Sequence, residues 1–187
     1  MCAVTEPLAP AQQTANIAII AGQLVVGGAE RQLYLWLANL DRQRFKPIVI
    51  TLHPGHGDYW EDPIEALDIP LFRIPHRRNR LWRLLGIIKI LRQHQPELVH
   101  GWHTFASPYA GISAKVFRAK SLGGIRSSIH ALEKSKETRL TRLVCDAVLV
   151  NSQTTAQAYR AGFRHKGQRV FTVQNALDTV FATREAA

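Results

Sequence analysis

Two groups of residues in this sequence have the types and spacing to do chemistry. Gly27 and Gly28 stand where an apolar run ends and a helical pattern begins, within NIAIIAGQLVVGGAERQLYLWLANL at residues 16–40. Lacking a Cβ, they let a phosphate or another backbone come close, and the unbonded N–H groups of a first helical turn favour an anion. Glu30 follows directly, where the helix dipole alone accounts for an acidic residue. The second group is His53 and His56 in the turn-rich HPGHGD. Their spacing could hold a metal, yet no cysteine or carboxylate pair nearby completes a ligand set, so both read as loop histidines and no metal is expected.

Two familiar phosphate fingerprints are absent. No GKS or GKT marks a P-loop, and Gly22, Gly27 and Gly28 do not fall on GxGxxG spacing. A dinucleotide enzyme also ends its second strand on an acid that holds a ribose. The run PIVITL at 47–52 ends instead in Thr51, Leu52 and His53, which counts against a dehydrogenase.

The elements that must position these residues alternate along the chain. Strand-like runs fall at 17–21, 47–52, 69–74, 96–102, 123–128, 145–150 and 170–173, and helical patterns at 29–40, 61–67, 77–93 and 154–161, with the small-residue stretch SPYAGISAKVF suited to close helix packing. Such alternation predicts an α/β fold, a Rossmann-like parallel sheet with helices on both faces. In the first helix Ala29, Leu33, Leu37 and Leu40 form the sheet-facing stripe. In RRNRLWRLLGIIKILRQ the stripe reads Leu81, Leu84, Leu85, Ile88 and Leu91, while Arg77, Arg78, Arg80, Arg83, Lys89 and Arg92 take the other side. That basic side is either a solvated face or a contact with an anionic membrane surface, and the stripe is needed for packing under both. His100, inside a strand, reads as packing, and Asn151 or Ser152 could cap the last helix.

A length of 187 residues supports one full core, with a loose leader over 1–15, one domain over 16–174 and a linker-like end over 175–187. The net charge of +10 and pI near 10.2 favour anionic partners: a nucleotide sugar, a lipid surface or nucleic acid. No aromatic–basic interleaving accompanies the charge, so no specific nucleic-acid partner is expected. Cys2 and Cys145 are too few for a disulfide framework and fit a reducing compartment. No apolar run approaches the ~20 residues of a membrane span. The expected location is cytoplasmic, either soluble or peripheral at the inner membrane face.

Four segments carry a family resemblance. VGGAERQL resembles the opening loop of the family-four GT-B glycosyltransferases, QPELVHGWH is similar to their RPDVVHAH, VLVNSQTTAQAYRAGF to VVANSEAVAEALRRLG, and QRVFTVQNALDTVF to KIRVIPNGVDLERF. The four occur in the family's order and span most of the chain. Ala176 replaces the family's glycine and Gln174 its proline, which alters the turn after Val173. The resemblance implies a retaining transferase of two Rossmann-like halves with the active cleft between them. This chain would be the N-terminal, acceptor-side half, inactive alone, with the donor-binding C-terminal domain supplied in cis or in trans. A nucleotide sugar would be the co-substrate, with no further cofactor, and a glycan or lipid-linked molecule the acceptor, as in cell-envelope polysaccharide synthesis.

By the same resemblance Gly27 and Gly28 would face the donor diphosphate, Arg126 or His130 would point at the reacting centre, and His103 would contact the acceptor. A non-catalytic binding subunit working beside a separate catalytic chain is the alternative reading, and a basic anion- or nucleic-acid-binding protein driven by the charged helix ranks last.

Overall fold

The computed structural model describes residues 14–53, 55, 58–75, 79–126, 135–162 and 168–176. Seven strands run β1 (Ala15–Ala21), β2 (Phe45–Thr51), β3 (Leu71–Arg73), β4 (Leu98–Gly101), β5 (Lys120–Ile125), β6 (Ala147–Val150) and β7 (Arg169–Thr172). Between them lie α1 (Gly28–Ala38), α2 (Glu61–Glu65), α3 (Arg80–His94), α4 (Ser107–Phe117), α5 (Lys136–Val144) and α6 (Gln153–Ala161). Every strand pair is parallel and the sheet order is β3-β2-β1-β4-β5-β6-β7. The expected α/β Rossmann-like parallel sheet is the fold observed.

Alternation along β1 divides the core. Ile17, Ile19 and Ala21 point to one side, against Leu33 and Leu37 of α1 and Ile64 of α2. Ala18 and Ile20 point to the other, against Ile87 and Leu91 of α3 and Ala110 and Ala114 of α4. Parallel register keeps paired residues on one face, so Val99, Gly123 and Val148 continue the α3–α4 side. There Thr141 of α5 sits over Gly123, and Ala156 and Tyr159 of α6 pack on Ile125, Val148 and Val150. Helices α1 and α2 thus cover one face, and α3 to α6 the other. On the α1 side beyond β4, His100, Leu122 and Leu149 line a hollow of about 630 Å³ bordered by Trp36 and Trp102.

The order of strands reverses direction between β1 and β4. The chain after β1 leaves toward α1, and the chain after β4 toward α4 on the opposite face, so the two loops diverge and leave a crevice at the carboxyl edge. Asp58 fastens part of this edge, since its Oδ2 accepts from the N–H groups of Leu24 and Gly55. The loops after β1 and β2 are therefore held together.

Four elements differ from expectation. Helix α5 was not foreseen, because its buried side chains are Thr138 and Thr141 and not aliphatic ones. The α3 stripe is displaced: Ile87 and Leu91 are buried, while Leu81 and Leu85 are 58% and 44% exposed. Asn79 starts this helix, its side chain accepting from Leu81 N–H, and core contact is made only further along. The described helix opens at Arg80; Arg77 and Arg78 lie outside the described residues. Strand β3 is only three residues long, and β5 begins at Lys120 and ends at Ile125, earlier than the composition of 123–128 suggested. Of the two capping candidates, Ser152 is the cap, accepting from Thr155 N–H at 3.1 Å.

Close approach at Gly101 is what seats α4. Ser107 Oγ lies within hydrogen-bonding distance of the carbonyls of Gly101, His103 and Gly124, at 3.3, 3.0 and 3.1 Å. A Cβ on Gly101 would meet Ser107 backbone nitrogen at 2.7 Å, an atom that cannot swing aside. Gly28 has no atom within 4 Å of the equivalent position. Gly101→Ala should therefore cost about 1–3 kcal/mol, whereas Gly28→Ala should be neutral or stabilise by up to about 1 kcal/mol. Urea denaturation of the two variants checks both signs.

Candidate functional site

The carboxyl ends of β1, β4 and β5 converge on one imidazole. His103 follows β4, and its Nδ1 lies 3.1 Å from the N–H of Gly22, which donates to it. A nitrogen that accepts carries no proton, so the neutral ring holds its proton on Nε2. That Nε2–H donates to Glu30 Oε1 at 2.9 Å. Both side chains are largely shielded, at 14% and 13% exposure. Burial pulls the His103 pKa below its ordinary value; Glu30 opposes that shift and Arg126 adds to it. His103 therefore joins the β1 loop to the first turn of α1 as an uncharged ring with both nitrogens engaged.

Arg126, just past β5, supplies the cation. Its guanidinium carbon lies 4.0 Å from the centre of the Trp102 ring, and its backbone N–H donates to Thr104 Oγ1. Trp102 is fixed in turn, its Nε1–H donating to Ala29 carbonyl at 2.8 Å. Burial lowers the Arg126 pKa to about 10, with Glu30 pulling the other way, so the group stays charged at neutral pH. Its Nε is buried and has no hydrogen-bond partner among the described residues. A charged donor held in place with an unused N–H is suited to an anion that enters the crevice.

The glycines differ from each other. Gly27 is the N-cap of α1 with φ −164°, a backbone conformation open to any residue, and no side chain caps the helix. A Cβ there would meet the Glu30 carboxylate, the far end of a flexible side chain, which would have to shift. Gly28 leaves open space beside the first turn. Glu30 is thus more than a dipole partner, as reading α1 alone suggested: it is the far end of a contact spanning 73 positions. Only the adjacency of β1 and β4 creates that contact.

The structure gathers His103, Arg126 and Gly27 around Glu30, with Arg126 also lining the 630 Å³ hollow, while Gly28 faces open space. His130 lies outside the described residues, as does His56. His53 is set apart, behind Phe105, with its Nε2 accepting from Arg83 at 3.1 Å. The Phe105 ring stacks on His103 at 5.7 Å and tilts against His53 at 5.8 Å. Among the described residues no group of three His, Cys, Asp or Glu side chains converges to hold a metal ion. His100 packs as expected, within 3.0 Å of Leu122 carbonyl, to which its Nδ1–H donates. Trp102 and Phe105 had no signal in the sequence beyond their position after a strand.

A seven-stranded parallel sheet with helices on both faces, its strand order reversing between β1 and β4, defines a Rossmann-like α/β layer. The chain belongs to glycosyltransferase family 4, whose profile matches residues 26–181. Similar solved structures include HepE from Anabaena in complex with UDP-glucose, at 17% identity and TM-score 0.67, covering 88% of this chain and 44% of that one. The apo form of the lipopolysaccharide outer core galactosyltransferase WaaB is 15% identical with TM-score 0.65, covering 87% and 46%. A UDP-N-acetylglucosamine 2-epimerase is 12% identical with TM-score 0.63, covering 86% and 48%. At these identities the likeness is one of fold, and the chain spans less than half the length of each. No curated protein sequence matches it.

The buried histidines give the site a pH signature. Full burial drives the His100 pKa down to about 4, so above pH ~6.5 the neutral ring is stable in both states. Below that the unfolded chain takes up the proton first, and stability falls as pH drops toward 4. His100→Leu should lose about 2–3 kcal/mol less than the unsubstituted chain between pH 7 and 4.5. Urea denaturation at the two pH values measures the difference.

Proposed function

We propose that this chain forms the acceptor-side half of a nucleotide-sugar-dependent glycosyltransferase, completed by a donor-binding domain in cis or in trans. The observation that carries this reading is the half-buried Arg126 cation, held on Trp102 near Glu30 with its buried Nε–H unused among the described residues, at the strand-order reversal of a family 4 chain. HepE, a relative in fold, has been solved with UDP and with UDP-glucose, which supports a nucleotide sugar as the partner.

In such a transfer an acceptor oxygen forms a bond to the anomeric carbon, the bond from that carbon to the diphosphate breaks, and the electron pair leaves with the nucleotide. The acceptor hydroxyl gives up its proton to an oxygen of the departing diphosphate. Arg126 would lower the energy of the charge that gathers on the departing phosphate, and the N–H groups of the first turn of α1 at Gly28 would face the same charge. His103, with both nitrogens engaged, serves as a positioning group that aims Glu30. The acceptor would be a glycan or a lipid-linked molecule of the cell envelope. Among the described residues no helix is long and apolar enough to cross a membrane. Residues 80–92 of the basic helix offer a surface for peripheral contact.

The test uses the protein in the form its cells contain, incubated with a panel of nucleotide sugars and a membrane extract as acceptor source. Release of nucleotide with sugar incorporation is the expected result, and Arg126→Ala should lower the rate by about a hundredfold or more. Failure to consume any nucleotide sugar, or an unchanged rate in Arg126→Ala, would contradict the proposal.

A further inference from the structure

One oxygen at the carboxyl edge has no work in the fold. Glu30 Oε1 accepts from His103 Nε2–H at 2.9 Å, while Oε2 lies against Gly27 and makes no hydrogen bond among the described residues. An ionised carboxylate can only accept, and this one is largely shielded from solvent, with its side chain 13% exposed. His103 fixes the first oxygen and thereby fixes the place of the second. A shielded acceptor in that condition favours a ligand that brings a donor and rejects the same ligand without it.

The neighbours decide which donor. A cationic group at Oε2 would be repelled by the guanidinium of Arg126, which lies near enough for Glu30 to act on its charge. Among the described residues no group of three His, Cys, Asp or Glu side chains converges to hold a metal ion there. An anion brings no donor and is repelled by the carboxylate itself. A neutral hydroxyl meets none of these objections. The hydroxyl that reacts in the proposed transfer gives its proton to the departing diphosphate, so its hydrogen is not available to Glu30 as well. The hydroxyl at Oε2 is therefore a second one, close to the first on the same molecule.

We infer that Glu30 determines acceptor specificity: its Oε2 accepts a hydrogen bond from a hydroxyl adjacent to the reacting one, so the acceptor ends in a sugar unit with neighbouring hydroxyls and not in an isolated alcohol. This deepens the proposed function, and it rests on that reading for the acceptor's role though not for binding of the sugar itself. Division of labour at the edge then follows from charge: Arg126 faces the phosphate and Glu30 the neutral sugar.

The test uses the protein in the form its cells contain and the variant Glu30→Gln. Glutamine still offers an oxygen to His103 Nε2–H but puts an NH₂ group where Oε2 was, turning an acceptor into a donor of the same shape. Binding is followed by NMR titration with the methyl glycosides of glucose, galactose and mannose, with cyclohexanol as the isolated alcohol and with pyrophosphate as the anion. At least one glycoside should bind about tenfold or more tightly than cyclohexanol, and Glu30→Gln should weaken that glycoside by about tenfold or more. Pyrophosphate should bind the variant as tightly as before or more tightly, since a carboxylate has been removed. In the unsubstituted protein one monodeoxy form of the same glycoside should lose about tenfold as well, a result that unfolding of a variant cannot imitate. No glycoside binding, an unchanged glycoside affinity in Glu30→Gln, a parallel loss of pyrophosphate, or no deoxy position that matters would overturn the assignment. The expected pattern in a protein that consumes no nucleotide sugar would leave the role of Glu30 standing and remove the proposed transferase. Sugar transfer at an unchanged rate by Glu30→Gln would do the reverse.

Discussion

The geometry of the carboxyl edge depends on a single neutral imidazole. His103 accepts from the Gly22 N–H with one nitrogen and donates to Glu30 with the other, so the loop after β1, the start of α1 and the loop after β4 are tied at one point. A parallel sheet separates its loops by sending successive crossovers to opposite faces, and at the reversal between β1 and β4 nothing in the backbone pairing draws the loops together. A side chain must do it. Burial keeps the ring uncharged, and that neutrality is required, because a doubly protonated ring could not accept from Gly22.

Electrostatics at the edge follow from that tie. Glu30 is aimed by His103 and lies against Gly27, and its carboxylate favours the charged form of Arg126, whose burial would otherwise work against it. Stacking on Trp102 shields one side of the guanidinium, and the Trp102 indole is anchored to Ala29 at the opening of α1. The helix that presents its free first turn to the crevice is thus the helix that holds the aromatic platform and the acid. Charge and shape at this edge are therefore coupled.

Much of the fold was legible because its signals are local. Alternating apolar runs and helical stripes, as in Ile17 to Ala21 and Leu33 with Leu37, report burial directly, and the GGAER, VHGWH and VNS segments together identified the family. What was not legible required knowing which parts meet. Glu30 reads as an ordinary helix-start acid until β4 is placed beside β1. Helix α5 hides because threonines face its core, and α3 misleads because apolar side chains in its first turns face outward. The importance of Phe105 is similar: it has no pattern of its own and matters through contacts with His53, His103 and the space above Gly22.

The most direct measurement is the protonation state of His103, read by long-range ¹H–¹⁵N correlation spectroscopy of the histidine rings from pH 7.5 to 5.5. The expected spectrum shows the ring protonated on Nε2 alone at pH 7.5, with Nδ1 in the range of an unprotonated nitrogen that accepts a hydrogen bond, and a second proton taken up only below the pH at which a free histidine takes it up. A ring that carries its lone proton on Nδ1, or that becomes doubly protonated near pH 6.5 as a free histidine does, would contradict the tie between Gly22 and Glu30 on which the site is built.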